Sequence, residues 1–205
     1  MYIPKHFALD DRAAQFDLID RYPFGALTTV SHGRLSISTI PFVLERERGA
    51  LDGHIARANP HWREFADISD LRVVFVGPNA YISPTWYQSP NMVPTWNYVA
   101  VEVGGRIEVL EGRAARLDLV DRLSARHEAQ EAQPWRSDKM DSTQRDKLLD
   151  AIVAFRIQIE SIVAKLKLGQ NRRTEELLAA AEALDARDRP SHERQLAALM
   201  RGAVE

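Results

Sequence analysis

The stretch Asn97–Glu111, "NYVAVEVGGRIEVLE", decides the fold class. Asn97–Val103 and Arg106–Glu111 read as two strands, and Gly104-Gly105 between them is a hairpin signal. Strands this short, joined by such turns, favour a small barrel. Working outward, Phe24–Val30, Leu35–Leu44, Ala50–Ile55, Leu71–Val76 and Ala80–Ser83 read as further strands. Within Leu35–Leu44 the apolar residues sit at odd positions (Leu35, Ile37), then at even ones (Ile40, Phe42, Leu44). That phase change predicts a bulge or sharp twist near Ser38–Thr39. Phe155, Ile157 and Ile159 alternate with polar residues and predict one more strand, closing the sheet.

Helical spacing covers Asp10–Asp20, Ala114–Glu131, Ser142–Asp150, Thr174–Ala186 and Ser191–Met200, with Pro190 as the break between the last two. Eight of the ten prolines precede residue 100, so a β-rich body gives way to charged, Ala- and Leu-rich helices. The expected class is α+β, with residues 1–173 as one domain and 174–205 as a C-terminal helical extension.

Composition removes several function classes. The chain has 205 residues, 45% of them apolar, and no cysteine. Disulfides, zinc–thiolate sites and thiol catalysis are therefore excluded. No run approaches 18 apolar residues, and no signal peptide is read behind Met1, so a cytoplasmic protein without a membrane span is expected. A net charge of −2 gives no support to nucleic-acid binding. The six histidines form no His-x-His or His-x-x-x-His pair, so no metal site is expected. Gly-x-Gly-x-x-Gly, Walker and Gly-x-Ser-x-Gly motifs are absent too.

Three stretches carry chemistry. In "HIARANPHW", His54–Trp62, Asn59 is a good N-cap and Pro60 suits the first helical position. A strand ending at His54–Ile55 would feed a turn at Ala56–Arg57 and then a helix N-terminus. That is a candidate phosphate cradle, with Arg57 as a bidentate partner. A plain helix cap with a surface arginine explains the same residues. His54 and His61 are read as packing or hydrogen-bonding residues rather than catalysts.

The second stretch, Ser83–Tyr98, holds two Pro-Thr-Trp motifs, and five of the nine Trp and Tyr residues fall between Tyr81 and Tyr98. Trp86, Tyr87, Trp96 and Tyr98 suit a planar ligand, a subunit interface or an aromatic core, and Thr95 and Asn97 add orienting polar groups. The third, Lys165–Arg173, carries four positive charges, with Lys167, Gln170 and Asn171 offering donors and acceptors. A solvated basic turn explains it equally well.

Together, "MYIPKHF", "HIARANPHW", "VVFVGPNAYISPTWY", "VPTWNYVAVEVGGRIEVLE", "ARHEA" with a following "PW", and "KLKLGQN" resemble the PaiB-like family of FMN-binding negative transcriptional regulators. The matches keep the family's order to about Arg173. The resemblance implies a split β-barrel related to pyridoxamine 5′-phosphate oxidase and flavin reductases. It also implies a homodimer with FMN in the groove between subunits, and Pro-Thr-Trp motifs forming its walls and lips. Position by position, it implies flavin-ring contacts at Ser38, Thr39 and Ile40. The phosphate falls to His54, Ile55, Ala56, Arg57 and Asn59. Family signatures fall at Thr95, Trp96 and Asn97 and at Lys167, Gln170 and Asn171. Gly169 stands where the family commonly has serine, so a hydroxyl contact is lost.

DNA is a partner by family name only, because Arg172–Arg201 holds six arginines against six acidic residues. A flavin-dependent oxidoreductase or reductase and a non-catalytic FMN sensor are the alternatives. No catalytic residue is assigned, although His54 and Tyr98 are the acid–base groups in reach.

Overall fold

The computed structural model describes residues 1–87, 89, 91–186 and 191–203; Pro190, read above as a helix break, lies outside them. Among the described residues the elements run β1 (Ala8–Leu9), α1 (Arg12–Arg21), β2 (Phe24–Ser31), β3 (Arg34–Glu45), β4 (Ala50–Ala56), a 3-10 helix (Pro60–Asp67) and β5 (Ile68–Ile82). A 3-10 turn (Pro84–Trp86), β6 (Thr95–Val109), α2 (Arg113–Glu128), α3 (Ser142–Asp150), β7 (Ile152–Lys167), α4 (Thr174–Asp185) and α5 (Ser191–Gly202) follow. The expected α+β class is correct. The hydrogen-bonded strand order is β1-β7-β4-β3-β2-β5-β6, and β7 also pairs with β6, so the order returns on itself.

The chain forms two compact units. One comprises Ile19–Val74 and Val103–Ile162; the other comprises Met1–Leu18, Phe75–Glu102 and Val163–Glu205.

In the Ile19–Ile162 unit, β2 and β3 form a hairpin around His32-Gly33, whose φ angles are 48° and 74°. Positive φ at both central residues matches the right-handed twist of the strands it joins. The pairing runs without interruption from Phe24↔Pro41 to Ser31↔Arg34, through Ala26↔Thr39 and Leu27↔Ser38. The bulge expected at Ser38–Thr39 is therefore absent. Ser38, Phe42 and Leu44 face inward on one unbroken phase, while Leu35 and Ile37 are 62% and 60% exposed. The outward apolar residues, not a shifted register, produced the apparent phase change.

Leu27, Phe42, Leu51, Ile55, Phe65 and Phe155 are buried, with Phe65 and Phe155 edge to face at 5.3 Å. On the other side of β3, Val43 and Ala154 pack with Leu119 of α2. The wholly buried Asp52 receives Arg156 at 2.7 Å and Arg122 at 2.8 Å, which ties α2 and β7 to β4.

Two sequence expectations fail at glycines and prolines. β6 is one strand, not a hairpin. A Cβ on Gly104 would lie 2.6 Å from Ser161 Oγ, and one on Gly105 would lie 2.0 Å from the carbonyl oxygen of Gln158. Those glycines allow β7 to approach; neither takes a positive φ. Likewise, Leu71–Val76 and Ala80–Ser83 belong to one strand, β5, which continues through Gly77-Pro78.

In the other unit, β1 pairs with the end of β7 (Ala8↔Lys165, Leu9↔Ala164), and Gln15 Nε2 donates to the Leu9 carbonyl at 2.7 Å. Leu177, Ala180, Ala181 and Leu184 of α4 and Leu196, Ala197 and Met200 of α5 are buried.

Candidate functional site

The β3–β4 pairing ends at Phe42↔Gly53, and β4 runs on to Ala56 beside the start of β7. Where the two strands part, Ile37–Pro41, His54–Ala56, Asn59 and Ile152 line a cavity of about 530 Å³. That volume suits a small-molecule ligand. Of the sequence-predicted residues, the fold therefore brings together Ser38, Thr39, Ile40, His54, Ile55, Ala56 and Asn59. A second cavity, about 370 Å³, lies between α2 and the segment Pro134–Asp138.

Local hydrogen bonds build the wall of the first cavity. Asn59 caps the Pro60–Asp67 helix as the sequence predicts, its Oδ1 accepting from His61 N at 3.0 Å; the helix is 3-10 rather than α. The same side chain donates through Nδ2 to Ser38 Oγ at 3.0 Å. His61 Nδ1 lies 2.8 Å from Ser38 Oγ, and its Nε2 lies 2.8 Å from Thr29 Oγ1. Ser38, Thr29 and His61 are all buried. Burial lowers the pKa of His61, opposed in part by Glu64, and burial alone lowers that of His54. Both rings are held toward the neutral form. Sequence reading treated His61 as a hydrogen-bonding residue and passed over Thr29. The missed signal was a serine on the inward phase of β3 with an inward threonine on β2 diagonal to it, since Ser38 pairs with Leu27 and Thr29 with Ser36.

Arg57 does something more specific than expected. Its Nε donates to the Asp150 carbonyl at 2.7 Å and its Nη2 to the Ile152 carbonyl at 2.9 Å. The guanidinium lies 5.8 Å from the Trp62 ring centre, and Trp62 Nε1 donates back to the Arg57 carbonyl at 2.9 Å. Arg57 thus pins the turn to the end of α3 and the start of β7. It stands outside the cavity lining.

The remaining candidates assemble in the other unit. Lys167 Nζ donates to Thr95 Oγ1 and, at 2.7 Å, to the Trp96 carbonyl. Its pKa is lowered chiefly by burial, with Tyr98 opposing. Gln170 folds back on its own turn, accepting from Leu168 N and donating to the Leu166 carbonyl. Asn97 is buried with Nδ2 3.6 Å from Met200 Sδ, whereas Asn171 is exposed. Gly169 has φ 95°, a left-handed conformation that favours glycine.

The two Pro-Thr-Trp motifs differ. Pro84–Trp86 is a 3-10 turn capped by Ser83, while Thr95-Trp96 opens β6 with Trp96 55% exposed and edge to face with Tyr81 at 6.2 Å. Lys165, which opens the basic stretch, has its Nζ 5.8 Å from the Tyr2 ring centre and 5.2 Å from that of Tyr98.

Comparison with known proteins connects this geometry to a family. Residues 1–161 match the family FMN_bind_2, described as "Putative FMN-binding domain". The chain is 34% identical over 202 residues to the protease synthase and sporulation protein PAI 2 of Bacillus subtilis, covering 98% of this chain and 96% of that one. Among solved structures, it resembles the flavocytochrome Anf3 of Azotobacter vinelandii with a TM-score of 0.63 and 14% identity, over 82% of this chain and 73% of that one. It also resembles the FAD and heme binding protein of Mycobacterium smegmatis with a TM-score of 0.61 and 21% identity, over 79% and 74%. At such identities the structural matches speak for the fold alone. The family match and the nearly full-length relative say more: this chain is a PaiB-like member of the FMN_bind_2 family, and its cofactor is FMN.

Proposed function

We propose that the protein is a homodimeric split barrel that holds FMN non-covalently in the β3–β4 cavity, completed by a second copy, and that its role is regulatory. The cavity carries this reading. Ser38 and Asn59, joined by a hydrogen bond, line it together with His54, whose buried Nδ1 has no hydrogen-bond partner among the described residues. A buried polar atom left over in a cavity wall suits a polar ligand. Ile37 both lines the cavity and joins the exposed Leu35 and Phe24 on the outer face of the hairpin, so the opening lies beside an apolar surface of the kind that subunits cover.

The flavin ring would lie along Ser38–Ile40. Its phosphate would lie at His54–Ala56 and Asn59, with Arg57 holding the turn from outside. Lys167, Thr95, Trp96, Asn97, Gln170 and Asn171 would form a second contact region, acting mainly by shaping the β6 entry and the 166–170 turn. When bound, FMN supplies the redox chemistry; the chain binds, orients and shields it.

A regulatory role follows the relative named for protease synthesis and sporulation. The family match ends at residue 161, which supports reading 1–173 as the FMN domain and 174–205 as a helical cover. α4 and α5 neutralise their own charge, through Arg173–Glu176 and Arg201–Asp185, and bury their apolar faces. That is poor equipment for reading DNA.

Freshly purified protein should be yellow, and calorimetric titration of stripped protein with FMN should give one site per chain. Colourless protein indifferent to FMN would refute the proposal. Bleaching of the flavin band on anaerobic mixing with NADH or NADPH would favour the reductase alternative.

A further inference from the structure

We infer that buried Thr29 fixes the tautomer of His61, and that His61 thereby makes Ser38 a hydrogen-bond donor aimed at an acceptor oxygen of the ligand in the β3–β4 cavity. The inference rests on the FMN reading for the ligand's identity, but the tautomer follows from the protein alone.

The argument is a chain of obligatory polarities. The backbone N–H of His61 can only donate, so the Asn59 oxygen faces it and Asn59 Nδ2 faces Ser38. Ser38 Oγ therefore accepts from Asn59. Thr29 is wholly buried, and His61 Nε2 is its hydroxyl's partner among the described residues. If Nε2 carried the imidazole proton, the Thr29 proton would be left buried without an acceptor, a costly arrangement. Thr29 therefore donates to Nε2. The proton of the neutral ring then resides on Nδ1, which donates to Ser38 Oγ.

Ser38 now accepts from both Asn59 and His61, and its own proton is left for the cavity that it lines. A hydroxyl in this state favours an oxygen acceptor and disfavours a donor. Burial supports the same state by holding His61 neutral. His61 is thus a positioning residue: it touches Ser38, not the ligand.

The acceptor could be a phosphate oxygen or a ring carbonyl of the flavin, and the test separates them. In nitrogen-15-labelled wild-type protein, the His61 ring should show a protonated Nδ1 and an unprotonated Nε2 between pH 7 and 8, with or without FMN. The opposite tautomer overturns the inference, whatever the protein binds.

Affinities for FMN and riboflavin are then compared in Ser38→Ala, His61→Asn and His61→Gln. The asparagine amide nitrogen lies near the Nδ1 position and can still donate to Ser38, so His61→Asn should bind within about threefold of wild type. The glutamine amide reaches toward Thr29 instead, so His61→Gln, like Ser38→Ala, should lose about tenfold. Loss for FMN alone assigns the acceptor to the phosphate; equal loss for both ligands assigns it to the ring. Unchanged affinity for both in Ser38→Ala overturns the inference while leaving FMN binding intact. Wild-type protein that binds neither flavin refutes the function proposed above, and the inference then fails as well if inorganic phosphate leaves the His61 ring signals unmoved.

Discussion

His54 and His61 carry much of the site's behaviour at the residue scale. Both have pKa values lowered by burial, so the folded protein binds fewer protons at these rings than the unfolded chain does. Their contribution to stability is complete above the unfolded value, about 6.5, and declines as pH falls below it toward the lowered folded values. The urea midpoint should therefore drop between pH 7.5 and pH 5.5, and His54→Gln should flatten that drop. A midpoint that rises on acidification would contradict it. Sequence reading recognised that these histidines hydrogen-bond or pack. It could not see Thr29, because only the β2–β3 pairing and the return of the 60–67 helix bring that hydroxyl to the ring. Arg57 shows the same limit. A guanidinium beside a capped turn suits a phosphate in sequence, but two carbonyls at 150 and 152, nearly a hundred residues away, take it in the fold.

At the scale of elements, glycine was the ambiguous letter. Gly-Gly between apolar runs signals a hairpin when the glycines supply positive φ. In β6 they supply the absence of a side chain instead, because the Gln158 carbonyl of β7 occupies the Cβ position of Gly105. Gly105→Ala should destabilise the protein by about 3 kcal/mol, since backbone rather than a flexible side chain must move. Chemical denaturation checks this, and a loss under about 1 kcal/mol would mean that the strands part easily. The true hairpin, His32-Gly33, lacked the Asn-Gly or Asp-Gly signature and was passed over. The helices were legible to within a few residues because each is long and periodic. So was the Asn59 cap, whose bonding is local and independent of the rest of the fold.

For the whole molecule, the outward face of the hairpin is decisive. Phe24, Leu35 and Ile37 are each about 60% exposed in a single chain. In the dimer proposed above, a second copy would cover them. Leu35→Glu combined with Phe24→Glu, neither of which lines the cavity, should convert the proposed dimer to monomer by light scattering. FMN binding should weaken by at least about tenfold, equivalent to about 1.4 kcal/mol. A variant that remains dimeric with unchanged affinity would move the interface elsewhere.

The sequence by itself determined the α+β class, the helices, the Asn59 cap and the FMN family. Those rest on local periodicity, short-range capping and ordered motifs. Tertiary structure alone decided that β5 and β6 are unbroken, that Leu35 and Ile37 face outward, and that Thr29, Ser38, Asn59 and His61 share one network. Strand pairing joins residues distant in the chain, and no local pattern states which face of a strand the core will take or which buried donor will meet which acceptor.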